Sequence, residues 1–441
     1  MSSTTMFQPD AEAMSTDERR GLQETRLVGL VDRLLAADGP QAAALTGAGV
    51  SAAADASLDE LAALPTTTKS DLWDAYPFGH VAVARDELAT VHGSSGTGGR
   101  PTLVGYTEAD LAVWGEVCAR SLGCAGATPS STVHNAYGYG LFTGGLGMHY
   151  GGRALGATVI PVSGGMTERQ LRLLGDIGSD ILCCTPSYAV YLGEALAAAG
   201  ADAPDLSGLK AGLFGAEPWT DSLRQRIEDL LGVVALDIYG LSEVIGPGVA
   251  TECLEAQDGL HVNEDHFLAE ALEPDSPNPV PDGRPGELTF TTLTKTGMPL
   301  LRYRTGDVAS LHRGPCECGR TLVRMSKVSG RIDDMLVLRG VNVYPSAIES
   351  VLLADARLAP HYQLVIDRRG PLVRAALLCE SPQSQAAIAG ELTEALRQRL
   401  GIHLDVHVLD PETLPRWEVG KAQRVVQWHD GPAPFAVLEG A

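Results

Sequence analysis

Residues 93–101 read GSSGTGGRP, four glycines with Ser94, Ser95 and Thr97 among them. Glycines let backbone N–H groups approach an oxyanion closely, and hydroxyls add donors, so such a loop suits phosphate. It fails the Walker template, because Gly98 and Gly99 stand where Gly-Lys should be and a strand-like run, PTLVGY, follows instead of a helix. Rossmann spacing fails for the same contextual reason. Taken alone, a strand–loop–strand setting favours a plain hairpin connection.

A second constellation is CECG at 316–319. Cys316 and Cys318, at i and i+2 around a tight turn eased by Gly319, can share one tetrahedral Zn²⁺. Two thiolates are half a site, and ECLEAQDGLHVNEDH upstream offers Cys253 and His261 as third and fourth ligands. His266 is the competing imidazole. Four protein ligands would make the metal structural. The other reading is a set of free thiols.

The elements that must carry these residues alternate in type. Residues 16–37 place Leu27, Leu30, Val31, Leu34 and Leu35 on one side, which predicts a helix. Residues 40–58 are Ala/Gly-rich with weak periodicity and predict loop with a short helix. Thr107 opens a helix with Asp110 in a capping-box position. TDSLRQRIEDLL is amphipathic and stops at Gly232, and VVALDIYG follows as a buried strand. Alternation of this kind predicts an α/β fold. From Met335 the order is strand (MLVLRGVNV), helix (SAIESVLL), strand (YQLVID), strand (LVRAALLC), helix (AAIAGELTEALRQRL) and strand (DVHVL). This βαββαβ unit of about 100 residues is large enough to fold alone. The polar SGRIDD at 329–334 marks the boundary, dividing the chain into a large multi-subdomain α/β region, 1–331, and a small α+β domain, 332–441.

A chain of 441 residues, 44% hydrophobic, can bury more than one core. Its net charge of −22 argues against nucleic-acid or anionic-membrane partners. Asp10, Glu12, Asp17 and Glu18 interrupt the first thirty residues, and no stretch of about 18 uncharged apolar residues occurs. Eight cysteines are too few for a disulfide framework, and the adjacent Cys183 and Cys184 suit a reduced core. The expectation is a soluble, cytoplasmic protein.

After the loop come, in order, GAEPW (215–219), YGLSE (239–243), YRTGD (303–307), GRIDDMLVLRGVNVYPSAIE from 330, and Gly420-Lys421 within LPRWEVGKAQR. Together they resemble the AMP-forming acyl- and aryl-CoA synthetases, the adenylate-forming superfamily. LPTTTKSDLWDAYPFG (64–79), HNAYGYGLFTGGLGMHYG (134–151), IYGLSEVIGPGVATEC (238–253) and TTLTKTGMPLLRYRTGD (291–307) look like its phenylacetate–CoA ligase branch. The resemblance implies attack of a carboxylate on the α-phosphorus of ATP, release of pyrophosphate, and transfer of the acyl group to CoA.

By that resemblance Ser94, Ser95, Gly96, Thr97, Arg100 and Thr102 would embrace the phosphates, with Gly98 where the family usually has Thr. Glu243 would hold Mg²⁺, an oxygen ligand for a hard ion. Tyr239 would stack on adenine, with Ala216, Glu217, Pro218, Asp237, Gly240 and Ser242 around the nucleotide. Asp307 would accept both ribose hydroxyls and Arg331 would support ribose or phosphate. Outside this company, Glu243 and Asp307 read as solvated turn residues. Lys421 would bring an ammonium to the carboxylate and α-phosphate. Asp333 would be the hinge of a rotating small domain, with Gly340 and Asn342 lining a CoA channel.

The acyl pocket would take Tyr137 and Phe142 from one segment and Phe214, Gly215 and Ala216 from another, since aromatic walls with small residues suit a flat ring. Phe214 reads equally as core. An aromatic acid, phenylacetate- or benzoate-like, is the implied substrate. CoA is the leading acceptor, and a carrier-protein thiol, an amine or an alcohol is the alternative. A non-catalytic nucleotide-binding scaffold is the remote reading, and a homodimer is left open.

Overall fold

In the computed structural model, which describes residues 6–94, 101–332, 336–338, 341–343, 345–369, 374–383, 385–401, 404–417 and 422–438, the chain builds on one nine-stranded mixed sheet. Its strands run in the order Leu311–His312, Arg324–Met325, Leu260–Val262, Gly246–Thr251, Val234–Leu241, Ala211–Gly215, Ile181–Cys184, Thr132–Asn135, Thr158–Ile160. Neighbours from Val234–Leu241 to Thr158–Ile160 are parallel, and the remaining pairs are antiparallel. Parallel strands covered on both faces read as continuous apolar runs. Ile181–Cys184 and Ala211–Gly215 are accordingly buried at every position.

Side chains on a strand alternate between faces, so the two cores take alternate residues. Val133, Cys183, Leu213, Leu236 and Ile238 face the helices Glu108–Cys124 and Gly144–Leu155. Leu182, Cys184, Phe214 and Ala235 face Thr167–Ile177, Pro186–Ala199 and Asp221–Leu231. Gly144–Leu155 is glycine-rich at a cost of about 1 kcal/mol per interior glycine. The reason is contact: a Cβ at Gly151 would lie 2.4 Å from the Cβ of Cys118. Thr107 and Asp110 form the expected capping box on Glu108–Cys124. The Asp110 carboxylate also accepts the backbone N–H groups of Thr296 (2.6 Å) and Gly297 (2.8 Å), fixing a distant segment to this helix.

Beside the large sheet stands an antiparallel sheet in the order Phe267–Leu272, Gly286–Thr292, Tyr303–Ala309, Gly330–Arg331. The glycine-rich segment joins a separate hairpin of Thr90–Ser94 and Thr102–Tyr106, with Ser94 opposite Thr102. Helix Thr16–Ala37 forms as predicted, capped by Ser15, and packs Leu27, Leu30, Val31 and Leu34 into its own core. The Ala/Gly-rich stretch supplies the short helix Pro40–Gly47.

Two C-terminal expectations need correction. MLVLRGVNV is two antiparallel strands, Leu336–Leu338 and Val341–Val343, and not one. The four-stranded sheet, ordered Asp405–Leu409, Arg374–Glu380, Tyr362–Asp367, Val425–Trp428, gains a last strand that a short run of β-branched residues had not announced. It pairs parallel to Tyr362–Asp367, so its hydrogen bonds are non-local and leave little local pattern. Helices Pro345–Leu352 and Gln385–Leu400 cover this sheet with a core of their own. Among the described residues, no helix is long and apolar enough to cross a membrane.

Candidate active site

Tyr239 and Asp307 come from interior strands of different sheets and meet between them. The Tyr239 hydroxyl donates to Asp307 Oδ2 at 2.7 Å, and Arg331 Nη1 donates to Asp307 Oδ1 at 2.8 Å. Asp307 and Arg331 are register partners on adjacent strands, which aims the guanidinium at the carboxylate. A carboxylate offers about four acceptor sites. One carboxylate oxygen faces each of these two donors. Burial and the Asp307 carboxylate push the Tyr239 hydroxyl up, keeping it a donor. Gly240 is required next to Tyr239, since a Cβ there would lie 1.8 Å from the Gly246 carbonyl oxygen.

Glu243 lies in the turn after this strand and is 4% exposed. Among the described residues, no side-chain hydrogen bond engages its carboxylate, which fits an acceptor kept for a cation. Its backbone is held firmly. Lys295 Nζ donates to the Glu243 carbonyl at 2.8 Å, and the Tyr106 hydroxyl donates to the Ser242 carbonyl at 2.7 Å. Lys295 is 1% exposed, with its ammonium 4.7 Å from the centre of the Tyr106 ring. Burial pushes that ammonium down to about 8 against the opposing pull of Asp110 and Glu243. Neither Lys295 nor Tyr106 was a candidate in the sequence. The one available signal was a lone lysine in the otherwise uncharged run TTLTKTGMPLL.

The root of the glycine-rich loop is tied to the same turn. Gly93 N–H donates to the Leu141 carbonyl at 3.0 Å, Ser242 Oγ donates to the Gly93 carbonyl at 3.4 Å, and Thr143 Oγ1 lies 3.2 Å from Ser242 Oγ. Ser94 ends the first strand and is half-buried. Thr102 is 1% exposed and its hydroxyl accepts the Trp73 indole N–H at 2.9 Å. This contact anchors the base of the loop. Ser95, Gly96, Thr97 and Arg100 lie outside the described residues, as do Asp333, Gly340 and Lys421. Asn342 lies on strand Val341–Val343, opposite Val337.

Ala216 adopts φ +72°, unusual for a residue with a Cβ. This turn exposes Ala216 and Pro218 and sends Glu217 to bridge two segments. Glu217 Oε1 accepts the Ser187 N–H at 2.7 Å and Oε2 accepts that of Ala422 at 2.9 Å. Asp237 is half-buried, and its carboxyl is pushed up to about 7 by burial and by the nearby Glu252 carboxylate. Arg224 donates to both Glu252 oxygens, at 2.9 and 2.7 Å.

Of the acyl-pocket candidates, Phe142 is 54% exposed and Tyr137 is buried, donating to the Leu213 carbonyl at 3.3 Å. Gly215 leaves no room for a side chain, as a Cβ would lie 2.1 Å from the Ile238 carbonyl oxygen. Phe214 is corrected to core. It is fully buried and packs edge-on to Trp219 at 6.0 Å, on the face covered by Pro186–Ala199 and Asp221–Leu231.

Cys253, His261, Cys316 and Cys318 converge, all buried, with one donor atom of each within 4.8 Å of the others. Zn–S bonds of about 2.3 Å and Zn–N bonds of about 2.0 Å imply tetrahedral edges of about 3.8 Å between sulfurs and about 3.6 Å from sulfur to nitrogen. The Cys253–Cys316 sulfurs are 3.8 Å apart and Cys318 Sγ lies 3.5 Å from His261 Nε2. His266 is engaged elsewhere, with Glu116 Oε1 at 3.0 Å and Thr294 Oγ1 at 2.8 Å.

A model of the AMP-binding enzyme family matches residues 21–294, and one of the AMP-binding enzyme C-terminal domain matches 340–428. A phenylacetate–coenzyme A ligase of Thermus thermophilus is 49% identical over 441 aligned positions, covering 96% of this chain and 99% of the relative. Solved structures of a 2-hydroxyisobutyryl-CoA ligase share the fold. With 2-HIB-AMP in the postadenylation state the TM-score is 0.88 at 27% identity, covering 97% of this chain and 93% of that one. With 2-HIB-AMP and CoA in the thioesterification state it is 0.71 at 28% identity, covering 96% and 92%. The chain belongs to the AMP-binding enzymes, as an AMP-forming CoA ligase of the phenylacetate–CoA ligase branch.

Proposed function

We propose that this enzyme activates an aromatic carboxylic acid, phenylacetate- or benzoate-like, with ATP to an acyl-AMP and pyrophosphate, then transfers the acyl group to CoA as a thioester. The end-to-end likeness to a phenylacetate–CoA ligase carries the substrate class. Charge neutralisation and positioning dominate the first step, because two anions must approach. Asp307, held in place by Tyr239 and Arg331, would orient the ribose hydroxyls, since a carboxylate can accept at both oxygens. Tyr239 would offer its ring to adenine, and Ser94, Ser95, Gly96, Thr97 and Arg100 would bind the leaving pyrophosphate. Glu243 would hold Mg²⁺, which when bound neutralises phosphate charge.

Lys421 neutralises the carboxylate and α-phosphate in this step. Ala422, the next residue, is tied to Glu217 in the nucleotide domain. The higher likeness to the postadenylation state than to the thioesterification state supports an arrangement serving the first half-reaction. The domains divide at 331/332, between strands Gly330–Arg331 and Leu336–Leu338, with Asp333 as hinge. Rotation there would bring Gly340 and Asn342 to the thiol. Cys253, His261, Cys316 and Cys318 would hold a structural Zn²⁺.

The test is ATP–pyrophosphate exchange over a panel of aromatic acids, followed by product analysis with and without CoA. Exchange with phenylacetate or a benzoate, and a CoA thioester as product, is expected. Exchange with none of the acids would overturn the reading, and product only with a carrier protein would replace the acceptor.

A further inference from the structure

A buried ammonium is costly unless the protein supplies partners, and a hydrophobic side chain of similar volume is often as stable or more so. Stability therefore does not account for Lys295, which is 1% exposed beneath the Glu243 turn. What the ammonium does there is hold backbone. It donates to the Glu243 carbonyl at 2.8 Å, while the Tyr106 hydroxyl donates to the preceding carbonyl, Ser242, at 2.7 Å. These two carbonyls belong to the peptide units on either side of the Glu243 Cα, and they are pinned from separate elements, the hairpin strand Thr102–Tyr106 and the segment after Gly286–Thr292.

Both anchors are themselves fixed. Tyr106 stacks on Trp114 with ring centroids 5.3 Å apart and planes 24° from parallel. Lys295 precedes Thr296 and Gly297, whose N–H groups donate to the buried Asp110 carboxylate. The same carboxylate caps helix Glu108–Cys124, so the lysine is referenced to the helix that packs under the sheet. Its Nζ thus stands on a rigid base, with the Tyr106 ring face 4.7 Å away as a second cation partner.

We propose that Lys295 is a positioning residue for adenylation: with Tyr106 it sets the Ser242–Glu243 backbone, and so the placement of the Glu243 carboxylate toward the metal-bound triphosphate. This rests on the reading of Glu243 as the Mg²⁺ ligand. A ligand displaced by a fraction of an ångström loses metal affinity, and outer-sphere substitutions at metal sites typically cost about 10–100-fold. The second half-reaction no longer involves the triphosphate, so the effect is confined to the first.

Lys295→Met and Lys295→Gln test this, each checked for folding by thermal melting. Mg²⁺-dependent binding of a non-hydrolysable ATP analogue is measured by calorimetry. Exchange and thioester formation from supplied acyl-AMP are then measured separately. For Lys295→Met the expected result is a loss of about 10–100-fold in exchange and a comparable rise in the Mg²⁺ concentration needed for analogue binding. Thioester formation from acyl-AMP should stay near wild type. If Lys295→Met does not fold, Lys295→Gln, which keeps a donor for the Glu243 carbonyl, carries the same readouts with a smaller loss. A folded variant with wild-type exchange and Mg²⁺ dependence overturns the role, as does an equal loss in both half-reactions. Wild-type protein without exchange overturns instead the functional reading beneath it.

Discussion

The Glu217 carboxylate joins the nucleotide domain to the C-terminal segment, accepting the Ala422 N–H at 2.9 Å on one oxygen and the Ser187 N–H at 2.7 Å on the other. Hydrogen bonds to a charged group contribute about 1.5–3 kcal/mol each. Glu217→Gln keeps one acceptor and turns an amide N–H₂ toward a backbone donor. Exchange should fall about 10-fold or more, because about 1.4 kcal/mol is a factor of ten. Thioester formation from supplied acyl-AMP, which does not use this contact, should be unchanged. Parallel loss in both assays would show that Glu217 serves only general packing.

Lys421 follows the same logic one residue away. Lys421→Ala should remove acyl-AMP formation by about 100-fold or more, the scale of losing a charge placed at a developing anion. Thioester formation from supplied acyl-AMP should be retained. Rapid-quench measurement of the two half-reactions separates these outcomes, and equal loss in both would remove Lys421 from the first step.

Tyr239→Phe isolates the hydroxyl from the ring. The variant keeps the aromatic ring and removes one donor to Asp307, whose other carboxylate oxygen still accepts from Arg331. Loss of one hydrogen bond to a carboxylate predicts a KM for ATP raised about 10-fold, with kcat changed less. An unchanged KM would mean that Asp307 needs no support from Tyr239.

The four buried donors around Cys253 should carry about one equivalent of zinc in protein purified without chelator. The knuckle also touches the N-terminal segment, because Arg320 Nε, adjacent to CECG, donates to Glu12 Oε2 at 2.7 Å. Removing a ligand should therefore loosen that segment as well as the metal. Cys318→Ser should bind less than half an equivalent and melt several degrees lower. Full zinc content in Cys318→Ser would exclude this ligand set.

Much of this arrangement was legible where the signal is local. The capping box of Thr107 and Asp110, the helix Thr16–Ala37 and the strand–loop–strand around Ser94 each follow from neighbours in sequence. The CECG spacing likewise pointed to half of the sulfur–nitrogen cluster. What escaped depends on residues far apart. That Thr102 is occupied by Trp73, and Glu217 by Ala422, requires the tertiary fold. Phe214 was ambiguous because period-two alternation says that neighbours point oppositely, but not which face is a pocket. Lys295 reads as a surface residue by type, and only its enclosure by Tyr106, Asp110 and Glu243 reveals otherwise.

Asp237 gives a pH-dependent test of stability. Burial and Glu252 push its carboxyl up to about 7, with Trp219, Lys327 and Arg224 acting in the opposite sense. In the unfolded chain an aspartate titrates near 3.9. Between these values the folded protein holds a proton that the unfolded chain has released. The contribution of this group to stability therefore falls as pH rises from about 4 to about 7, and stays low above. Asp237→Asn cannot ionise and fills the same space. It should melt close to wild type near pH 4 and higher at pH 8, by about 2 °C or more. Melting curves at pH 4.5, 6 and 8 would show the difference opening across that interval. A constant offset at all three would mean that the carboxyl does not titrate in this range.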